Sequence, residues 1–153
     1  MTSSGEGENG DGARAEMPAD LAGGGTWISD LGLVLDEVSG SRVTAHLVLG
    51  PDHHTPWGVV HGGVYATVVE SVASIGASVA VLDRQQFAVG VNNSTDFLRP
   101  STGGRVDIVG EPVLQGRTQQ LWQVTLSRAE DGKALAEGRV RLQNLPLAPA
   151  GPA

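Results

Sequence analysis

Apolar residues change their spacing twice along this chain. Leu31, Leu33 and Leu35 alternate, residues 38–41 (Val-Ser-Gly-Ser) have turn composition, and Val43, Ala45, Leu47 and Leu49 alternate again. Alternation at every second position collects one set of side chains on one face of a strand, so from Trp27 onward the spacing predicts a β-hairpin with one buried face. Gly50-Pro51-Asp52 ends its second strand. Between 62 and 82 the alternation is gone: Val64, Val68, Val69, Val72, Ile75, Val79 and Val81 are interleaved with Ala, Gly and Ser. So many β-branched residues would also suit buried strands, but the length and the lack of a turn signal decide for one helix, ~30 Å long at 1.5 Å per residue. A helix apolar on every side belongs in the middle of a fold. Strand-like segments return at 87–98, 105–114, 118–128 and 133–143, punctuated by turn residues at 99–104, 115–117 and 130–132. Connections this short imply antiparallel neighbours. The expected architecture is α+β: two strands, one long helix, then up to four strands, in a sheet curved round the helix, with a partner subunit covering what the sheet leaves open.

Both ends fall outside this pattern. Residues 1–25 are Gly, Ser, Ala and acid with almost nothing to bury, which predicts a disordered acidic tail, and 146–153 alternate Pro and Ala as a flexible C-terminal tail. The folded domain is then expected at 26–145. A chain of 153 residues suffices for one core, burying ~68% of the surface its unfolded form exposes.

Charge and composition exclude several functions. Seventeen acids against ten bases leave a net charge of −7, the wrong sign for holding nucleic acid through phosphate contacts. Much of it sits at the front, where Glu6, Glu8, Asp11, Glu16 and Asp20 face Arg14 alone, a net of −4 over residues 1–20. Anionic partners therefore need a local basic patch. The absence of cysteine excludes disulfides, zinc-thiolate sites and cysteine nucleophiles. The 59–82 run reaches membrane-spanning length, yet it contains His61, Glu70, three glycines and several hydroxyls with no basic anchors close by, which argues against a membrane span. The polar, Gly-rich start has no basic-then-apolar leader pattern, so the expectation is a soluble, cytoplasmic protein.

Glu70 is the one charged residue between Asp52 and Asp83. Burial among valines penalises an ionised carboxylate, so the group must be partnered, protonated or working. The structural alternative is an outlet to solvent or a buried arginine partner. Ser74 lies one turn further on the same helix face, where its hydroxyl can hold the carboxylate. At the helix start, His61-Gly62-Gly63 offers unpaired backbone N–H groups with no side chain to block a ligand oxygen, and the helix dipole adds positive potential. By itself a Gly-Gly there is equally a permissive turn. His53, His54 and His61 match no standard metal-ligand spacing, which leaves loop or capping roles and no metal or cofactor. Neither a Gly-x-Ser-x-Gly elbow nor a phosphate-binding glycine loop occurs. Trp57, Tyr65 and Phe97 are candidates for an aromatic pocket or for core and interface packing.

Trp57-Gly58-Val59-Val60-His61-Gly62-Gly63, with Glu70 nine residues after the histidine, resembles the hot-dog-fold acyl-CoA thioesterases of the PaaI-like type, closest to the 4-hydroxybenzoyl-CoA thioesterase branch with a helix glutamate. The resemblance continues through 92–100 (Asn-Asn-Ser-Thr-Asp-Phe-Leu-Arg-Pro), Gly116-Arg117-Thr118 and Trp122-Gln123-Val124, covering about residues 27–144. It implies a hot-dog fold, one long central helix wrapped by a curved antiparallel sheet of about six strands. It also implies homodimers with shared active sites, paired as a dimer of dimers. The Gly62 amide would polarise the thioester carbonyl, with His61 beside it. Glu70 of the facing subunit would act as nucleophile or as base toward water, supported by Ser74. Gly63, Trp57, Asn93, Arg99, Gly116, Arg117 and Thr118 would contact substrate, Arg99 and the 116–118 turn holding the phosphates of CoA. One position departs from the family: Thr55 stands where Asn or Gln is usual, six residues before the histidine, and cannot offer an amide. Either His54 replaces it, or the chemistry, substrate or rate has changed. A non-catalytic hot-dog module binding acyl-CoA or a partner is the alternative. A hydratase is a third reading, but its usual histidine loop is missing.

Overall fold

The computed structural model describes residues 26–148. The expected acidic tail and residues 149–153 lie outside the described residues. Elements follow in the order α1 (Thr26–Leu31), β1 (Val34–Val38), β2 (Val43–Leu49), α2 (Gly62–Val79), β3 (Gln86–Phe97), β4 (Gly104–Gln115), β5 (Gln119–Arg128) and β6 (Ala134–Pro146). Short 3-10 turns precede and follow α2 at Pro51–His53 and Leu82–Arg84.

Two boundaries differ from the sequence reading. Trp27 to Leu31 are helical rather than extended. Gly32, at φ +78°, donates to the Ser29 carbonyl at 3.0 Å and ends the helix in the left-handed conformation that glycine adopts without strain. The alternation of Leu31 and Leu33 thus straddles a helix cap, and both are buried. At the other end β6 runs past residue 143 to Pro146, and Leu147 N–H bonds to the Gln85 carbonyl at 2.9 Å. Backbone pairing continues there despite the proline-alanine composition.

All six strands form one antiparallel sheet in the order β1-β2-β4-β5-β6-β3. The inward positions alternate as a one-sided sheet requires: Val43, Ala45, Leu47 and Leu49 on β2, Val106 and Ile108 on β4, Trp122, Val124 and Leu126 on β5, Val140 and Leu142 on β6. Against them α2 lays Tyr65, Val68, Val69, Val72, Ala73 and Ala77. Close approach depends on three small positions. A Cβ on Gly138 would come within 2.7 Å of Val69, one on Gly110 within 2.7 Å of Val72, and one on Gly76 within 2.4 Å of the Trp122 indole. Each buried valine is worth roughly 1.5–3 kcal/mol, so this contact carries much of the fold.

Among the described residues α2 is the helix long and apolar enough to cross a membrane. Here its apolar face is covered by the sheet. It is not buried all round, however. Ala66, Thr67, Glu70, Ser71, Ser74 and Ser78 are half-buried in the single chain. The hydroxyls tolerate this by bonding within the fold: Thr67 to the Gly63 carbonyl and Ser71 to the Thr67 carbonyl, both at 2.8 Å, while Ser78 accepts from Ala88 N–H at 3.0 Å. This half-open side follows β3, a sheet edge whose residues 90–94 are all exposed.

Candidate active site

The Glu70 carboxylate lies in the cleft between α2 and β3. Ser74 Oγ donates to Oε1 at 3.4 Å, as the one-turn spacing predicts. Asn93, expected to meet substrate, donates from Nδ2 to Glu70 Oε2 at 3.3 Å and to the Ala66 carbonyl at 3.0 Å. Thr95 Oγ1 donates to Asn93 Oδ1 at 2.6 Å, which settles which end of the amide faces the acid. No lysine, arginine or histidine among the described residues forms an ion pair with Glu70. Neutral donors orient the carboxylate without neutralising it. The floor is Gly90, where a Cβ would sit 1.9 Å from Glu70 Oε1. A bulge between Gly90 and Asn92 shifts the β3 register beside the acid. Gly90 was missed in the sequence, although an isolated glycine in a strand pattern signals a close backbone approach.

His61 caps α2. Its Nδ1 accepts the Gly63 N–H at 2.8 Å, so in the neutral ring the proton sits on Nε2, on an exposed imidazole. Gly63 N–H is thereby consumed. Gly62 N–H, the first of the helix, has no hydrogen-bond acceptor among the described residues. The Phe97 ring lies over Gly62, 2.5 Å from where a Cβ would stand. The site thus offers one unpaired amide, not two.

The three candidate aromatics do not share a pocket. Tyr65 is buried beneath Phe97, with ring centroids 6.2 Å apart, while Trp57 is 85% exposed at a loop tip. Burial pushes the Tyr65 phenol above its ordinary value, offset in part by the nearby Ser101 hydroxyl and the Arg128 charge. Ser101 Oγ is already committed to Gly103, so Tyr65 Oη lacks a partner with hydrogen-bond geometry.

The loop before the helix is built from its own polar residues. Thr55 donates its N–H to the Val59 carbonyl at 2.7 Å, accepts Gly58 N–H at its own carbonyl, and accepts Trp57 N–H at Oγ1 at 3.3 Å. His54 Nε2 bonds the Thr102 carbonyl at 2.7 Å and so ties two loops together. His53 is equally engaged, between Gly50 N–H and the Leu31 carbonyl. No cluster of three or more metal-ligating side chains occurs among the described residues.

Distance separates the rest. Eight residues of helix put Glu70 ~12 Å along the axis from Gly62 in one chain, too far for both to touch one carbonyl carbon. Arg99, bonded from Nη1 to the Ala134 carbonyl, follows Phe97 at the Gly62 end. The 116–118 turn lies at the opposite end, joined through Asn144 and Gln120 to the Ala77 carbonyl. The structure brings together Glu70, Ser74 and Asn93, and separately His61, Gly62, Gly63 and Phe97. It does not bring these groups, or the two arginine sites, onto one spot of one chain.

A long helix wrapped by a six-stranded antiparallel sheet, with an acid on its half-open side and a free amide at its start, defines a hot-dog-fold protein of the thioester-hydrolase type. Sequence comparison agrees: the pattern of the Thioesterase superfamily matches residues 58–135. A provisionally named esterase of Mycobacterium tuberculosis is 42% identical over 123 residues, 79% of this chain and 87% of that one. Its solved structure superposes with a TM-score of 0.78, over 82% of this chain and all of the other. The 1,4-dihydroxy-2-naphthoyl-CoA thioesterase 2 of Arabidopsis thaliana is 38% identical over 65% of this chain and 63% of its own. A Haemophilus influenzae thioesterase structure, 26% identical, gives a TM-score of 0.76 over 84% of this chain and 87% of that one. The chain belongs to the Thioesterase superfamily and is a hot-dog thioesterase.

Proposed function

We propose that the protein hydrolyses an acyl-CoA to the free acid and CoA, as a cytoplasmic enzyme of the PaaI-like type whose sites form between two copies. The observation that carries this reading is the Glu70 carboxylate, half-buried yet held only by the neutral donors Ser74 and Asn93. A structural carboxylate in such a cleft would be expected to have a cation; one kept unpaired remains available to attack, or to take a proton from water. Gly62 N–H is the complementary donor, aligned with the positive end of the helix dipole, where the thioester oxygen gains negative charge. In the step, a new C–O bond forms at the carbonyl carbon as the C–S bond breaks. The thiolate of CoA leaves and takes up the proton released by water, with Glu70 either relaying that proton or forming a transient anhydride that water opens.

The ~12 Å between Gly62 and Glu70 supports a shared site. Two copies joined antiparallel along β3 would set their helices antiparallel, and a two-fold axis opposite Ala66 would bring Gly62 of one copy beside Glu70 of the other. The same pairing would bring Arg99 of one copy toward the 116–118 turn of the other, giving the acidic molecule a local basic site for phosphates. Further pairing into a dimer of dimers is part of the proposal. The aromatic acyl-CoA in the Arabidopsis relative's name makes aryl-CoAs the first substrates to assay and medium-chain acyl-CoAs the second.

Thiol release from such a panel tests the reading. Glu70→Gln should lower kcat by ~10²–10⁴, the usual worth of a positioned acid–base group, with the fold intact. Undiminished turnover in that variant would remove Glu70 from the mechanism. The engagement of Thr55 Oγ1 in its own turn favours one second reading, a module that binds acyl-CoA without cleaving it. Saturable binding with no turnover across the panel would establish it.

A further inference from the structure

The sequence reading placed Gln120 in a strand and gave Asn144 no role, yet both amides are buried in an otherwise apolar core. Asn144 donates from Nδ2 to the Gly116 and Arg117 carbonyls at 3.3 and 3.2 Å, and its backbone N–H donates to the Thr118 carbonyl at 2.8 Å. Its Oδ1 accepts from Gln120 Nε2 at 2.8 Å, and Gln120 Nε2 also donates to the Ala77 carbonyl at 2.9 Å. That carbonyl is among the last four of α2, which find no partner further along their own helix. Gln120 Oε1 in turn accepts from Trp122 Nε1 at 2.9 Å and from Gln115 Nε2 at 3.3 Å.

We propose that Asn144, held by Gln120, is a positioning residue that shapes the 116–118 turn into an anion-binding cradle and locks it to the end of the central helix. In a trans peptide the C=O and N–H point in opposite directions. Drawing the Gly116 and Arg117 carbonyls inward onto Asn144 therefore turns the N–H groups of Arg117 and Thr118 outward. Neither amide has an acceptor among the described residues, and the Arg117 guanidinium is exposed with no ion pair among them. Successive outward amides beside a free guanidinium and a hydroxyl form a nest for phosphate oxygens. Gly116 allows the tight closure, since a Cβ there would stand 2.8 Å from the Gln119 carbonyl oxygen. A plain hydrophobic residue at 144 would leave these carbonyls unpaired and free to reorient, and the outward amides with them.

The identity of the anion, a phosphate of CoA, rests on the acyl-CoA reading; the cradle does not. In the unmodified protein, titration with adenosine 3′,5′-bisphosphate, and separately with pyrophosphate, should shift the Arg117 and Thr118 amide resonances. In Asn144→Leu, binding of adenosine 3′,5′-bisphosphate should weaken by about tenfold or more, and KM for acyl-CoA should rise in step while kcat stays within about twofold. Asn144→Asp, which keeps the acceptor for Gln120 but alters the donor to the turn, is the second variant should the leucine not fold, and should weaken binding in the same direction. Resonance shifts with pyrophosphate that are lost in the variants uphold the cradle even if no acyl-CoA is turned over. Turnover with unchanged KM in a folded variant, or ligand binding that leaves the two amides unmoved, would overturn it while leaving the thioesterase reading in place.

Discussion

Glu70 is defined as much by the residue that has no side chain as by those that bond it. Gly90 lets the carboxylate lie against the β3 backbone, because a Cβ there would stand only 1.9 Å from Glu70 Oε1, far inside ordinary contact distance. Gly90→Ala should therefore displace the acid and break its bond to Asn93 while leaving the hydrophobic core untouched. Turnover is expected to fall by ~10² or more, the usual cost of misplacing a reacting group by about 1 Å. Near-wild-type kcat with an unchanged melting temperature would show that the carboxylate tolerates another position. Glu70 and Ser74 could be paired in the sequence because helix geometry alone brings residues four apart together. Asn93 and Gly90 could not, because their contact with Glu70 depends on where β3 docks and on the bulge at 90–92.

At the scale of elements, the helix meets the sheet through glycines. Gly76→Ala tests that contact, because two effects oppose each other. Alanine gains ~1 kcal/mol of helix propensity over glycine. Its methyl, however, would stand 2.4 Å from an indole that is fully buried and tethered at Nε1 to Gln120. Overpacking of this kind costs ~1–3 kcal/mol, and the tether prevents the ring from retreating. A net loss of up to ~2 kcal/mol in denaturant unfolding is expected; greater stability would mean that α2 and β5 are not in such close contact. The elements themselves were mostly legible, since a shift from two-residue spacing to an uninterrupted apolar run separates strands from helix, and Gly, Pro and Asp mark the turns. The error came at Trp27 to Leu31, where a helix of six residues is too short to show its own period.

At the scale of the whole molecule, β3 is twelve residues long, forms one edge of the sheet and leaves Val91 and Phe97 more than half exposed. A long exposed edge whose one charge, Asp96, lies near its end invites pairing with another strand over the rest of its length. The dimer proposed along this edge predicts that Val91→Lys shifts sedimentation toward the monomer and that activity falls with the fraction of dimer. A fully active monomeric variant would place the complete site in one chain. Antiparallel strands, one central helix and an acid of chemical interest follow from the sequence alone, because periodicity, turn chemistry and the hydrophobic penalty on charge are local properties. Which donors from β3 hold that acid, and how Asn144 and Gln120 join the far turn to the helix, were decided only by the tertiary structure. Each depends on side chains distant in sequence being set within hydrogen-bond reach by the packing of α2 against its sheet.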